Sequence, residues 1–239
     1  ALYHIGSTKF ILLDIKSFFP HCKFSYVKNF FAKESGLYMV RAKRNNDNEI
    51  IGFESDVATA MAKIVTVPVK SNNDVERIIP QGYPTSTIIS FLSYREMFDK
   101  INKVAQKYGC KFSTYVDDLS FSYKENNFNP YDLVEEVKMI LKEYGHTLSN
   151  KKTKIIDVEK KLGPNKEEVL PLITGLTVKR YKVRASKKMH SKMNRLYKRF
   201  ISLGEPKNAL EYIKKWECFV SLNGIYNTCL LYTSDAADD

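Results

Sequence analysis

The 239-residue chain is poor in the residues that build crosslinks and metal clusters, with four cysteines and four histidines. Cys22, Cys110, Cys218 and Cys229 are scattered without CxxC spacing. That pattern disfavours both a structural zinc and a disulfide framework, and it fits a reducing cytoplasm. No window approaches the roughly 18 uncharged apolar residues of a membrane-spanning helix, so no membrane partner is expected. The opening Ala1-Leu2-Tyr3-His4-Ile5-Gly6 has neither the basic start nor the apolar run of a signal peptide. Internal repeats are absent too, which excludes solenoids and propellers.

What is present is apolar mass and positive charge. The chain is 44% hydrophobic, with 14 Phe and 15 Tyr, enough to bury a sizeable core in one large domain or a domain plus an appendage. The net charge is +11 and the pI about 9.3. The charge is concentrated: Lys179, Arg180, Lys182, Arg184, Lys187, Lys188, Lys192, Arg195, Lys198 and Arg199 occur without one intervening acid. A solvated helix face mixes charge signs, so one-sign clustering points to a nucleic-acid backbone. Met189, Met193, Leu196 and Phe200 give the same stretch an apolar packing side. The tail Cys229–Asp239 resembles the conceptual translation of a sequencing adapter, so the native reading is expected to run to about Thr228. The start, without Met and opening almost directly into a strand, reads as truncated as well.

Along the chain, Lys9–Lys16 reads as a buried strand that delivers Asp14 at its C-terminal edge. A short helix is expected over Ser25–Phe31, a polar loop or hairpin tip over Arg41–Asn48, and a helix over Ser55–Val65 capped by Ser55. Pro80-Gln81-Gly82-Tyr83-Pro84 is a breaker-rich loop, and helical spacing predicts one long helix from about Thr85 to Tyr108, closed by Gly109. Lys111–Tyr123 reads as strand–turn–strand with Asp117 and Asp118 at the bend. A helix over Pro130–Tyr144 stops at Gly145; Leu148–Ile156 and Leu172–Val178 read as strands flanking a charged loop over 159–168. The basic stretch from Lys179 is predicted to be helical, and Pro206 opens a last helix through Leu222.

Two adjacent carboxylates repel each other unless a cation sits on them, yet alone the Asp117-Asp118 pair reads as a solvated turn. Asp14 on a separate strand and the Gly-Pro loop change that balance. Two-metal phosphoryl transfer needs oxygen ligands converging from separate strands on ions about 4 Å apart. Carboxylates suit Mg²⁺, and histidine or thiolate ligands are not required.

On these residues the chain resembles the reverse transcriptases of the bacterial retron type, from Ala1 to about Phe200. Tyr115-Val-Asp-Asp118 is similar to the family's Tyr-x-Asp-Asp box, and Asp14-Ile-Lys-Ser-Phe-Phe-Pro20 to its first catalytic motif. Ile79-Pro-Gln-Gly-Tyr-Pro-Thr-Ser86 resembles the segment lining the incoming nucleotide, and Asn150-Lys-Lys-Thr-Lys154 a later motif whose lysine lies near the phosphates. Ala1-Leu-Tyr-His4 and Ile173-Thr-Gly175 resemble two segments of the retron branch.

The resemblance implies an α+β right-hand polymerase palm, an antiparallel sheet backed by helices, with partial fingers and the start of a helical thumb. The implied division is palm with fingers over 1–178, basic thumb over 179–228, and the adapter-like tail over 229–239. It implies that Asp14, Asp117 and Asp118 are catalytic and hold two Mg²⁺ ions. Phe19 would block a ribose 2′-hydroxyl, Gln81 and Gly82 would line the dNTP, and Lys152 would protonate pyrophosphate. The implied partners are an RNA template, a DNA primer, dNTPs and a structured retron non-coding RNA, with a role in anti-phage defence. The same chemistry would serve an intron-encoded, abortive-infection or CRISPR-associated reverse transcriptase, and a non-catalytic nucleic-acid-binding module of this fold is the rival from another class. Tyr83, Thr87 and Ser149 depart from the family's usual residues. The fingertip residues that grip the triphosphate would precede Ala1 and much of the thumb would follow Thr228, so this stretch alone is expected to polymerise poorly.

Overall fold

The computed structural model describes residues 1–33, 41–54, 56–71, 74–124, 128–159 and 170–233. Ser55, the expected helix cap, most of the 159–168 loop and the tail from residue 234 lie outside the described residues. The elements run β1 (Lys9–Asp14), α1 (Phe24–Lys33), β2 (Arg41–Arg44), β3 (Ile50–Glu54), α2 (Asp56–Ile64), β4 (Val67–Ser71), β5 (Asp74–Ile78), α3 (Ser86–Ser93) and α4 (Arg95–Lys107). They continue with β6 (Lys111–Tyr115), β7 (Asp118–Tyr123), α5 (Pro130–Glu143), β8 (Lys154–Asp157), β9 (Leu172–Ile173), β10 (Leu176–Val178), β11 (Val183–Ala185), α6 (Lys187–Ser202) and α7 (Ala209–Thr233).

An antiparallel sheet ordered β6–β7–β1–β8 forms the centre. Successive strand side chains point to opposite faces, and β1 is apolar on both. Ile11, Leu13 and Ile15 enter a core with Leu119, Phe121 and Tyr123 of β7 and the helices, including Met97 and Ile101 of α4 and Leu133, Val137 and Leu141 of α5. Phe10 and Leu12 join a second core with Ile156 and the three-stranded sheet β9–β10–β11. Each fully buried large side chain contributes about 1.5–3 kcal/mol, and β1 is sandwiched between both clusters. Asp14 ends the Phe10–Leu12 row, so the strand carries a carboxylate to the rim of the second face. The expected antiparallel sheet backed by helices is what forms.

Several local expectations are corrected. The single helix over Thr85–Tyr108 is two, broken at Tyr94 (φ −112°, ψ 18°). Neither Gly nor Pro marks the break. Tyr94 is fully buried, its hydroxyl accepting from the Lys23 N–H at 2.9 Å and donating to the His21 carbonyl, so tertiary anchoring sets it. The strand over Leu148–Ile156 begins only at Lys154; Leu148 makes a lone bridge to Ile15, and the Ser149 carbonyl turns the chain by accepting from Lys152 and Thr153. Leu172–Val178 is a hairpin, because Thr174 (φ 50°) and Gly175 (φ 83°) supply the paired positive φ of a type I′ turn.

The basic helix starts at Lys187, eight residues later than expected, where the Ser186 hydroxyl caps it by accepting from Met189; β11 occupies part of the stretch before it. Arg41–Arg44 is a strand, and only Asn45–Glu49 turns, with Asn45 Oδ1 accepting from the Asp47 and Glu49 N–H groups. The β4–β5 hairpin has no counterpart among the sequence expectations. The last helix continues past Leu222 to Thr233.

Candidate active site

The three aspartates gather at one end of the central sheet. Antiparallel pairing of β1 with β7 places Asp14 directly opposite Asp118, a separation of about 5 Å between Cβ atoms. Tyr115 pairs with Asp118 across β6–β7, which leaves Val116-Asp117 as a two-residue turn. The bend therefore holds Asp117 only, and Asp118 opens β7. Val116 sits at φ 59°, a left-handed conformation that costs a β-branched residue about 1–3 kcal/mol. The Asp117 carbonyl accepts from the Ile15 N–H at 2.9 Å, so the turn is fastened to β1 immediately beyond Asp14.

Asp14 is buried, Asp117 half-buried and Asp118 exposed. Desolvation, followed by the like charges of Asp117 and Asp14, raises the Asp118 pKa above the usual carboxylate range, with Lys152 pulling it the other way. Lys152 Nζ donates to Asp14 Oδ2 at 2.7 Å. That hydrogen bond, together with the Asp117 and Asp118 charges, raises the lysine pKa. Lys152 reaches the site because the Asp14 carbonyl accepts from the Ser149 N–H at 2.8 Å and Ser149 in turn accepts from Lys152 N.

Among the described residues, no three His, Cys, Asp or Glu side chains stand close enough to share a metal as placed. The donor set nevertheless suits a hard divalent cation, since three carboxylates meet at one strand end and one is already neutralised by an ammonium.

The other expected site residues lie around this centre without joining it. Phe18 is fully buried against Tyr94, Phe98 and His146, whereas its neighbour Phe19 is only partly buried and keeps an accessible edge. Gln81 and Gly82 are exposed in the loop before α3. Gly82 takes φ 94°, where a side chain would be strained, and the buried Ser86 hydroxyl donates to the Pro80 carbonyl to hold the loop. The cavity that reaches Asp118, about 610 Å³, is lined instead by Leu12, Ser113, Tyr115, Ser120 and the turn Thr174–Leu176. Phe19, Gln81 and Gly82 do not line it.

A family profile described as reverse transcriptase (RNA-dependent DNA polymerase) matches residues 3–190. The chain belongs to the reverse transcriptase family. Among curated relatives, it is 26% identical over 132 residues to the retron Mx65 reverse transcriptase of Myxococcus xanthus, covering 51% of this chain and 27% of that protein. To the retron Mx162 reverse transcriptase of the same organism it is 28% identical over 123 residues, covering 52% of this chain and 24% of that protein. The chain thus spans about a quarter of the length of these relatives. A telomerase from Candida albicans, solved with a fragment of telomeric RNA, aligns over 96% of this chain and 42% of its own, at 13% identity and a TM-score of 0.48.

Around this site, one cluster is not foreseen from the sequence. His4, fully buried, bonds to Ser113 and Ser122 on the two strands that carry Tyr115 and Asp118. The serines Ser113, Ser120 and Ser122 on one face of the two strands, and the resemblance of Ala1–His4 to a retron segment, are its traces in the sequence.

Proposed function

We propose that this chain is the catalytic palm of an RNA-directed DNA polymerase of the retron type, extending a primer 3′-hydroxyl with dNTPs. The observation that carries the proposal is the in-register opposition of Asp14 and Asp118 with Asp117 in the turn beside them. Asp14, Asp117 and Asp118 would hold the metal, Asp14 and Asp117 as its principal ligands and Asp118 in support of it or of the primer end. Two Mg²⁺ ions held there supply activation of the primer hydroxyl and charge stabilisation on the triphosphate and leaving pyrophosphate.

The protein's own groups supply position and charge around that centre. Lys152, within hydrogen-bonding reach of Asp14, would swing from the carboxylate to a phosphate oxygen and donate a proton to pyrophosphate. The accessible edge of Phe19 excludes a ribose 2′-hydroxyl, and the exposed Gln81-Gly82 backbone approaches the nucleotide. The Thr174–Val178 hairpin holds the primer end beside Asp118. The template–primer backbone lies along the basic face of α6, where Lys188, Lys192 and Arg195 are exposed. The RNA template is a structured retron non-coding RNA, and the product serves anti-phage defence; the likeness to two retron reverse transcriptases supports this branch.

The test is primer extension on an RNA template by the full-length protein, with Asp117→Asn alongside. Incorporation by the wild type and its loss in the variant is the expected result; equal incorporation by both refutes the catalytic assignment. For the branch, the DNA upstream of the gene should encode a foldable RNA with inverted repeats, and its absence counts against a retron.

A further inference from the structure

The catalytic hairpin has two mechanical weaknesses. Among the described residues β6 is an edge strand, paired with β7 alone, and the two-residue turn joining them forces Val116 to φ 59°. A strained turn on an edge strand relaxes most easily by slipping, and a slip of one residue would send every side chain to the opposite face. The Val116-Asp117 turn would then be remade, and Asp117 would leave its place beside Asp14. Something must hold the base of the hairpin.

His4 is placed to do so. It ends a single 3-10 turn, Leu2–His4, and is completely buried. Its Nδ1 lies 2.7 Å from Ser122 Oγ on β7, and its Nε2 lies 2.7 Å from Ser113 Oγ on β6. Ser122 Oγ donates to the buried Ser7 Oγ at 2.9 Å. With its proton committed there, Ser122 accepts from the ring, so Nδ1 carries the imidazole proton and Nε2 accepts from Ser113.

Ser113 and Ser122 point to the same face as Asp118, because strand alternation aligns residues 113 and 115 with residues 118, 120 and 122. Ser122 lies four residues from Asp118, about 13 Å along the strand. The ring therefore spans the hairpin at the end opposite its strained turn. Lys111 Nζ adds a further tie to the Ile5 carbonyl at 2.9 Å, and the Thr8 N–H donates to the Tyr123 carbonyl, so the whole segment before β1 is fastened to this hairpin.

We infer that His4 is a positioning residue for the catalytic hairpin: its imidazole, bonded to Ser113 and Ser122, locks β6 against β7 in the register that sets the Val116-Asp117 turn, and Asp117 with it, beside Asp14. The inference rests on the polymerase reading for its effect on turnover, but not for its effect on the hairpin.

The test uses His4→Phe, which keeps ring volume and removes both hydrogen bonds, and Ser113→Ala, which removes only the bond to β6. Amide hydrogen exchange on this chain reads the hairpin without any activity. In His4→Phe, the β6 and β7 amides should exchange at least about tenfold faster, while those of α4 and α5 stay protected. In Ser113→Ala, the acceleration should concentrate in β6.

In the full-length protein, single-nucleotide incorporation by His4→Phe should lose about tenfold to a hundredfold in kcat, with KM for dNTP changed less than about threefold, as expected for misplacement of a reacting group. Acceleration spread evenly over the sheet and both helices, or unchanged exchange with unchanged kcat in both variants, overturns the proposal. A wild type that fails to incorporate nucleotide while His4→Phe still frees β6 and β7 selectively refutes the polymerase reading and leaves the lock standing.

Discussion

Replacing Lys152 by Met should destabilise the metal-free protein and make it more responsive to Mg²⁺. The ion pair with Asp14 is short, 2.7 Å, but one-sided: the lysine side chain is 64% exposed and that of Asp14 only 9%. As a surface pair it is worth about 0–1 kcal/mol. The larger effect is on what remains, a nearly buried carboxylate beside Asp117 and Asp118 that has lost the Lys152 ammonium. An unpaired buried group costs about 1–3 kcal/mol, and for a chain of this length each kcal/mol moves Tm by about 2–4 °C.

The variant should therefore melt lower than wild type by about 2–12 °C in a chelator. Added Mg²⁺ competes with Lys152 for Asp14 in the wild type and not in the variant. Saturation at about a hundred times Kd adds about 2.7 kcal/mol, with the larger share of relief falling to the variant. Differential scanning fluorimetry with and without Mg²⁺ reads both effects. Equal Tm values in chelator, or a gap that Mg²⁺ leaves unchanged, would refute the reasoning that Lys152 neutralises a metal-binding carboxylate.

Acid should unfold the chain early. Burial pushes the pKa of both His4 and His146 down to about 4, below the ordinary value near 6.5. The unfolded state then binds more protons between these values. Stability is fully present above about pH 6.5 and falls as pH drops toward 4, by up to about 3 kcal/mol for each ring; a flat urea midpoint across that window would contradict this. Replacing Lys188, Lys192 and Arg195 by Gln should weaken template–primer binding at all sequences. The log–log salt slope should fall by about 0.9 for each phosphate no longer neutralised, as read by fluorescence anisotropy at several salt concentrations. Phe19→Ala should admit rNTPs in primer extension; unchanged sugar selectivity would show that another side chain is the gate.

The elements best legible in the sequence are those whose pattern and environment agree. β1 is apolar from Phe10 to Leu13, just before its carboxylate, α5 begins at Asn129-Pro130 with the Asn side chain capping Tyr131 N, and both match their expected places. Asp14 is legible because a charge inside apolar strand sequence has few structural uses, whereas Asp117 and Asp118, a solvated turn by themselves, are legible only beside Asp14 and the motifs around it. What cannot be read depends on partners far along the chain. The helix break at Tyr94 is set by the His21–Lys23 backbone some seventy positions away. The β4–β5 hairpin hides behind Pro68, which an edge strand tolerates. His4 is legible only as the end of a segment resembling the retron branch, and its bonding is hidden because its partners lie more than a hundred positions downstream.

These long-range ties converge on β1, and the convergence explains why the site forms where it does. Its inward row, Ile11, Leu13 and Ile15, is held by the helical core, and its other row, Phe10 and Leu12, by the small sheet. A strand gripped on both faces has little freedom to shift, so the residue at its end is the stiffest place available for a carboxylate. The backbone beyond Asp14 is used twice more: its carbonyl receives Ser149, which brings Lys152, and the Ile15 N–H meets the Asp117 carbonyl. Each of the site's charged groups is thus referenced to one strand. Loosening the helical core under β1 would misplace Asp14 against both hairpin and lysine together, whereas loosening the hairpin would move only Asp117 and Asp118. The hairpin, with its strained turn and edge strand, is the weaker of the two supports, and it is there that His4 is bonded.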